Sequence, residues 1–307
     1  MQIIRNLNQI KISLPDLALT IGNFDGVHLG HLQILSEVKK IAKEKKLSSA
    51  VLTFEPHPIT FLKADKPRDF RIGSLAQKLK IFKEQQIDFV IILPFNQKFS
   101  VISADDFIEE ILAKILNVKH LTIGYDFIFG KNRQGNFQLL EEKSEKLGFD
   151  LSEISAVKID EQTCSSSLIR KLIVDGKITE ANKFLGRNFT IAGIVTNGRK
   201  LASQLGFPTA NLVVKPHMMK LKFGVYKTET FILHLGKKFP SITNFGIKPT
   251  ISGDSIQLFE THILNFNENL YGKKIFVEFI DFIRDEKKFS SIEELKKQIL
   301  IDVRASY

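Results

Sequence analysis

Short β-branched runs alternate with amphipathic stretches of helix length from Leu17 to about Gly186. That alternation predicts an α/β domain built on a parallel sheet, each strand followed by a helix that crosses back over it. The expected strands cover residues 17–21, 50–54, 89–95, 121–125 and 154–159, with helices at 31–46, 75–86, 104–116 and 137–147. In the third helix, Phe107, Ile108, Ile111, Leu112, Ile115 and Leu116 recur at the spacing of one helical face. Helical stretches at 166–174 and 179–185 carry the chain to Gly186 and Arg187, where the pattern changes. From Phe189 to Ile283, expected strands at 189–195, 211–214, 225–233, 241–244, 259–264 and 275–282 are punctuated by Gly, Pro and Asn turns, which predicts a small antiparallel β-barrel. A C-terminal helix follows, because Ser291 and Glu294 have capping-box spacing ahead of Leu295, Ile299, Leu300 and Val303. The expected domains are 1–186 and 187–307.

Composition agrees with two folded domains. The chain has 307 residues, enough for two cores, and its 43% apolar and 25% charged content excludes disordered and fibrous classes. Cys164 is the only cysteine, so no intramolecular disulfide framework exists and a reducing compartment is the simplest fit. Residues 1–14 lack the apolar stretch of a signal peptide, and no run approaches the roughly 18 apolar residues of a membrane span. The expectation is a soluble cytoplasmic protein without a membrane partner. A net charge of +10 favours anionic partners, either nucleotide phosphates or nucleic acid. Lysines spread through 39–46 and 287–297 read as solvated faces, and no nucleic-acid motif accompanies them. A weak homo-oligomer is compatible with the sequence.

Chemistry concentrates first in Thr20-Ile21-Gly22-Asn23-Phe24-Asp25-Gly26-Val27-His28-Leu29-Gly30-His31, directly after the first strand. Ligands of open parallel sheets bind where strand ends meet helix N-termini. Gly22 and Gly26 permit close backbone approach to a polyphosphate, and the following helix start offers free N–H groups and a positive dipole end. His28 and His31, three residues apart, share one face of the first turn and can donate to developing phosphate charge. The bland alternative is a tight turn with two surface histidines; a metal site is weak, because no third ligand lies nearby.

Here the sequence resembles the nucleotidyltransferase superfamily with its HxGH signature, and more closely the FMN adenylyltransferase module of bacterial bifunctional riboflavin kinase/FAD synthetases. Further matching segments follow in order: Thr53-Phe54-Glu55-Pro56-His57-Pro58, Phe95-Asn96 with Phe99, Gly124-Tyr125-Asp126-Phe127-Ile128-Phe129-Gly130, and Ser165-Ser166-Ser167-Leu168-Ile169-Arg170. The resemblance implies a Rossmann-like fold that binds ATP through Gly22, Asn23, Phe24, Asp25, Gly26, Ser165, Ser166, Ser167 and Arg170. It implies catalysis by His28 and His31 and a flavin pocket from His57, Pro58, Asn96, Asp126, Phe127 and Phe129. Aromatic faces suit an isoalloxazine ring, while core packing is the alternative for either Phe. Glu55 and Ser167 stand where the family usually has Asp and Thr, and both keep the chemical group.

The second cluster is Gly206-Phe207-Pro208-Thr209-Ala210-Asn211-Leu212. Thr209 and Asn211, two apart on an extended strand, project to one side and offer the oxygen ligands Mg²⁺ prefers. The segment resembles the GFPTAN segment of riboflavin kinases. Gly224-Val225-Tyr226, Asn244-Phe245-Gly246-Ile247-Lys248-Pro249-Thr250 and Phe259-Glu260-Thr261-His262-Ile263-Leu264 follow in that family's order. By that likeness Gly206, Pro208 and Thr209 bind ATP, Thr209 and Asn211 hold Mg²⁺, and Glu260 is the general base that accepts the ribityl hydroxyl proton. Ala202-Ser203, where many members carry Gly-Arg, and Asn265 and Asn269, in place of acidic residues, are departures. The implied activity converts riboflavin to FMN and FMN to FAD, with ATP as co-substrate in both steps. The rival enzyme reading is a nucleotidyltransferase for another phosphorylated cofactor precursor with a regulatory barrel. The rival of another class is a basic nucleic-acid-binding protein.

Overall fold

In the computed structural model, which describes residues 1–7, 10, 14–62, 70–196, 206–213, 218–249 and 255–305, the first β-branched run becomes a strand buried at every position. A strand covered on both faces must read as continuously apolar, and Leu17–Ile21 does. The contacts divide the chain into two units, Met1–Pro67 with Ser74–Ser165 and Arg68–Gly73 with Ser166–Tyr307.

In the first unit, β1 (Gln2–Ile4), β2 (Leu17–Ile21), β3 (Ser48–Phe54), β4 (Phe89–Leu93), β5 (Val118–Gly124) and β6 (Asp150–Ile154) make one parallel sheet. Its order is β1-β4-β3-β2-β5-β6. The pleat sends Leu17, Leu19, Ile21, Leu52, Ile91 and Leu121 to one face, with Phe107, Ile108, Ile111 and Leu112. Val51, Val90 and Ile92 pack on the other with Leu35 of α1 (Leu29–Lys45) and Phe82 of α3 (Leu75–Glu84). The short α2 (Pro58–Leu62) lies between those two helices in sequence. Local chemistry sets the helix ends. Ser74 Oγ accepts from Gln77 N at 3.3 Å while Gln77 Oε1 accepts from Ser74 N at 2.8 Å, a reciprocal capping box.

The expected helix over 104–116 is split by winding. After α4 (Gln97–Ser100), α5 (Ala104–Asp106) runs into a π-helical stretch, Phe107–Ile115, closed by Leu116 N donating to Ile111 O. A wider turn shifts each successive side chain from its α-helical bearing, and Ile115, expected in the core, is 36% exposed. The remaining helix, α6 (Phe137–Leu147), matches expectation. The expected strand at 154–159 is corrected: β6 ends at Ile154, while Lys158–Ile159 (β7) pairs with Gln162–Thr163 (β8) in a separate two-stranded ribbon. Half-exposed edge residues such as Ser152 and Glu153 hide an edge strand from a hydrophobicity pattern.

The second unit closes β9 (Phe189–Thr196), β10 (Thr209–Val213), β11 (Gly224–Ile232), β12 (Lys237–Pro249), β13 (Ser255–Ile263) and β14 (Lys274–Arg284) into an antiparallel barrel ordered β10-β13-β12-β11-β14-β9. Ala202 and Ser203 lie outside the described residues, as do Val214, Thr250 and the side chains of Ile247–Pro249. Phe245 and Phe259 stack at 4.4 Å between ring centroids. Beside them five buried hydroxyls satisfy one another at 2.8–3.0 Å: Thr230 meets Ser241, which meets Thr228, then Thr243 and Thr261. A hydroxyl both donates and accepts, so the chain buries no unpaired polar atom among these five. Before the barrel come α7 (Ser166–Val174) and α8 (Ile178–Leu185). Asn182 ties α8 to the barrel, donating to Phe279 O at 2.8 Å and accepting from Phe189 N at 2.7 Å.

The last helix, α9 (Ile292–Ala305), starts as its capping residues require, with Glu294 N donating to Ser291 Oγ at 3.1 Å. The Glu294 carboxylate reaches Ser290 N, one residue earlier than a reciprocal box would place it. Leu300, expected as apolar packing, is 44% exposed. Anchoring comes from Asp302, buried and bonded to Arg284 Nε at 2.9 Å and Nη2 at 2.6 Å. Removing one partner of such a buried pair typically costs about 3–5 kcal/mol because the other charge stays behind. Asp302→Ala is expected to lower the unfolding free energy by about 3 kcal/mol in denaturant titration, and a change below about 1 kcal/mol would show that α9 is held by other means.

His120, in β5, gives a second check. Its Nε2 is 2.8 Å from Ser152 Oγ, and its Nδ1, 4.0 Å from Asp150 Oδ2, makes no hydrogen bond among the described residues. Burial first, then the Lys45 charge, lowers its pKa below 6.5, against smaller opposing effects of Asp150 and Glu37. The folded protein thus keeps the ring neutral where the unfolded chain would protonate it. The stability this contributes is present above pH 6.5 and is lost as pH falls through the depressed folded value. Between about pH 7 and about pH 5 the melting temperature of His120→Gln should fall less than that of the parent; equal falls would remove His120 from the acid response.

Candidate active sites in the two units

The strand order reverses direction at β2, with β3 on one side and β5 on the other. Loops leaving the ends of β2 and β5 therefore separate, and an open α/β sheet binds ligands in the crevice between them. The Gly22–His28 turn leaves β2, and the Tyr125–Phe129 loop leaves β5.

The β2 turn is tightly wound. Gly22 N donates to Leu52 O at 3.1 Å, and φ is +48° at Phe24, +77° at Gly26 and +40° at Val27. Only Gly26 adopts its value without steric cost; a β-branched residue at positive φ is an outlier. Such strain, on the order of 1–3 kcal/mol per residue, gathers at functional sites. Phe24 and Val27, each 1% exposed, pack into the core around Phe82. Asp25 and His28 are also buried, at 4% and 6% exposed.

His28 is the N-cap of α1. Its Nδ1 accepts from His31 N at 3.4 Å and lies 3.4 Å from Cys164 Sγ. A ring that accepts through Nδ1 carries its neutral-state proton on Nε2, which is then a donor. The two imidazoles stack with centroids 3.6 Å apart, 21° from parallel, so both present edges to one side. The free N–H groups expected at this helix start are not found. His31 N goes to His28 Nδ1 and the N–H groups of Leu29 and Gly30 donate to the Cys164 sulfur, ahead of the regular first intrahelical bond from Leu32 N to His28 O at 2.9 Å. Burial outweighs those bonds and pushes the Cys164 pKa up, so sulfur stays a thiol, a weak acceptor that a phosphate oxygen can outcompete.

Two residues at this site escaped the sequence reading. Cys164 stood out only as a lone cysteine. Lys78 is 9% exposed and donates Nζ to Asn23 O at 2.5 Å and Thr53 Oγ1 at 3.3 Å, tying the ends of β2 and β3 together. Its signal was a charge on the apolar face of the 75–86 helix, between Leu75, Leu79 and Phe82.

The residues expected around a flavin have mixed settings. Phe127 and Phe129 stack at 5.3 Å and continue through Phe107, Phe99, Phe54 and Phe95 in successive ring contacts of 5.3–6.1 Å, an aromatic wall of which Phe107 is core and Phe54, Phe99, Phe127 and Phe129 pack against it. Gly135 allows it, since a Cβ there would sit 2.6 Å from the Phe129 ring. Asp126 is exposed beside it. His57 is buried, with Nδ1 accepting from Ile59 N at 3.2 Å, and Pro58 opens α2. Asn96 Oδ1 caps α4 by accepting from Phe99 N at 3.0 Å. Ser165 closes the first unit; Ser166, Ser167 and Arg170 open the second, where Arg170 Nε donates to Phe70 O at 2.9 Å.

On the barrel, register does what spacing foretold. Thr209 pairs with His262, and Asn211 pairs with Glu260, which on its other side pairs with Asn244. Directly opposed residues share a face with Cβ atoms roughly 4.5–5.5 Å apart. Asn211, Glu260 and Asn244 therefore stand abreast, with Thr209 one step along. His262 Nδ1 donates to Pro208 O at 2.9 Å and holds the segment after Gly206, whose φ is +88°. Asn211 is 4% exposed, yet its Oδ1 has no hydrogen-bond partner among the described residues. A buried carbonyl oxygen without a donor is costly unless a cation or ligand completes it, so the donor set suits Mg²⁺. A cavity of about 260 Å³ on the barrel is lined by Pro208, Thr209, Phe266, Glu268, Asn269 and Tyr271 among others; it shares Thr209 with the row, while Asn211, Glu260 and Asn244 do not line it. Its 266–271 rim was not expected as a site, apart from the departure noted at Asn269. Among the described residues no group of three His, Cys, Asp or Glu side chains could hold a metal.

A switch-point turn in a parallel sheet, followed in one chain by an oxygen-rich face on a closed barrel, defines a two-module nucleotide-handling enzyme. Residues 11–168 match the family model for FAD synthetase and residues 185–307 that for riboflavin kinase. Bifunctional riboflavin kinase/FMN adenylyltransferases from Haemophilus influenzae and Escherichia coli K12 are 40% and 36% identical to this chain. They cover 100% and 98% of it, and the chain covers 98% and 96% of them. A solved Streptococcus pneumoniae structure described as a macrolide-efflux protein superposes with TM-score 0.88 at 28% identity, over 99% of this chain and 97% of that one. No described helix of this chain is long and apolar enough to cross a membrane. The chain belongs to the family of bifunctional riboflavin kinase/FMN adenylyltransferases.

Proposed function

We propose that this chain makes FMN from riboflavin and ATP at the barrel, releasing ADP, and FAD from FMN and ATP at the parallel-sheet unit, releasing pyrophosphate. The functional division is 1–186 for adenylyl transfer and 187–307 for the kinase. The observation that carries the reading is the row Asn211–Glu260–Asn244, a carboxylate flanked by two amides, one with a buried unpartnered oxygen.

Both reactions are in-line displacements at phosphorus, in which positioning and charge stabilisation provide most of the acceleration. Glu260 accepts the proton of the terminal ribityl hydroxyl as that oxygen attacks the γ-phosphorus of ATP. Gly206, Pro208 and Thr209 line the nucleotide end of the site. A Mg²⁺ ion held by Thr209 and Asn211 supplies neutralisation of phosphate charge when bound. In the first unit the FMN phosphate oxygen attacks the α-phosphorus of ATP, and His28, through its Nε2–H, and His31 stabilise the leaving pyrophosphate. Gly22, Asn23, Phe24, Asp25 and Gly26 cradle the nucleotide, together with Ser165. The flavin lies on the Phe127–Phe129 wall, with Asp126, Asn96, His57 and Pro58 at its rim. ATP, riboflavin and FMN are the partners; nucleic acid and membrane take no part. Self-association is weak, and the enzyme works in the cytoplasm, where ATP is abundant and the single thiol stays reduced.

Flavin chromatography after incubation with riboflavin, ATP and Mg²⁺ tests the division of labour. His28→Ala should slow FAD formation about 100-fold or more while FMN accumulates. Glu260→Gln should slow FMN formation about 100- to 10,000-fold and leave supplied FMN convertible to FAD. Loss of both steps in either folded variant would end the two-site reading. Asn211→Ala should raise the Mg²⁺ concentration giving half-maximal FMN formation by about tenfold without lowering the melting temperature, because it deletes an unpaired buried oxygen. An unchanged Mg²⁺ requirement would take Asn211 out of the metal site.

A further inference from the structure

The row Asn211–Glu260–Asn244 is built from three neighbouring strands, but a fourth side chain reaches it from elsewhere. Glu286 follows β14. Its Oε1 lies only 2.0 Å from where a Cβ on Gly246 would be, so the carboxyl occupies the space that glycine leaves open. Gly246 is two residues from Asn244 and therefore on the same face of β12. Asn244 Nδ2 is 3.5 Å from that same point, and the Asn244 side chain hydrogen-bonds Glu286. Glu260, directly across from Asn244, is close enough for its charge to act on Glu286.

An ionised carboxylate can only accept, so Glu286 fixes which way the Asn244 amide faces: nitrogen toward Glu286, carbonyl oxygen left for another donor. Beside a base that takes the terminal hydroxyl of a polyol chain, an available amide oxygen is matched to the next hydroxyl. We propose that Glu286 is a positioning residue of the kinase centre, which holds Asn244 so that its carbonyl receives a ribityl hydroxyl and presents the terminal one to Glu260. This rests on the reading of the barrel as the riboflavin kinase.

Burial, the largest effect, raises the Glu286 pKa, and Glu260 raises it further, while the Asn244 bond and Arg284 lower it. Gly246, meanwhile, does not adopt a positive φ, so its lack of a side chain serves space rather than backbone conformation.

The test measures FMN formation under steady-state conditions in the full-length chain. Glu286→Ala should lower kcat about tenfold and raise the KM for riboflavin, with the KM for ATP unchanged. Glu286→Gln, which keeps an acceptor oxygen for Asn244 without charge, should recover to within about threefold of the parent. Gly246→Ala should reproduce the Glu286→Ala kinetics, because its new methyl displaces only the far end of the Glu286 side chain. The Glu286→Ala/Asn244→Ala double variant should be no slower than Asn244→Ala alone, since residues acting through one another are not additive. Melting curves report whether the barrel stays folded; if Glu286→Ala unfolds, the Gln and Gly246→Ala variants decide. Full activity in Glu286→Ala, a Gln variant as slow as the Ala variant, or multiplicative losses in the double variant would each overturn the proposal. A parent chain that makes no FMN would instead remove the kinase reading beneath it.

Discussion

A polar side chain taken out of water must find a partner or cost about 1–3 kcal/mol, and in this chain that constraint decides where the chemistry sits. His28, Asp25 and Lys78 are buried at the ends of β2 and β3, and Asn211 is buried on the barrel. Each lies where regular pairing stops or where a strand face is covered by its neighbours. The barrel's hydroxyl chain resolves the same problem internally, every oxygen meeting another hydroxyl. Asn211 does not, and the contrast between a satisfied ladder and an unpartnered amide oxygen on the adjacent strand marks the second as a place for something to bind.

Magnitudes explain why the strained turn after β2 persists. Positive φ at Phe24 and Val27 costs on the order of 1–3 kcal/mol each. Burying a Phe or Val side chain contributes about 1.5–3 kcal/mol, and both residues are 99% removed from solvent around Phe82. The two effects are of equal size, so the turn is held without net gain. Its apolar side chains fasten the backbone in a conformation it would otherwise leave, and Asp25 and His28 are carried into place between them.

Much of this was legible in the sequence because the relevant periods are short. β2, α6 and α7 match the residues their apolar patterns select, and the Thr209–Asn211 spacing gave their shared face before any strand partner was known. Long-range facts were not legible. No local signal says that Glu260 stands between Asn211 and Asn244, because register is set by the whole barrel. The likeness to riboflavin kinases named Glu260; its neighbours came from pairing. β1, three residues long at a sheet edge, and β6, with half-exposed residues, lacked the burial that makes a pattern. The π-helical winding at Phe107–Ile115 keeps an apolar face close enough to α-helical spacing that sequence does not separate the two.

The start of α1 obeys the same constraint. A helix start is a ready anion site only while its first N–H groups lack better partners. At α1 those groups are taken up by an imidazole nitrogen and a thiol sulfur, and the sulfur is the poorer acceptor of the two. An arriving phosphate oxygen, charged and strongly accepting, competes best for the Leu29 and Gly30 amides and least for the His31 amide. The same His31 bond that withholds an amide from the ligand keeps the His28 proton on Nε2, so the site gives up one backbone donor and gains an oriented side-chain donor. That exchange favours catalysis over tight ground-state binding: an imidazole can shift with the charge as it moves to the leaving group, whereas a backbone amide is fixed in place.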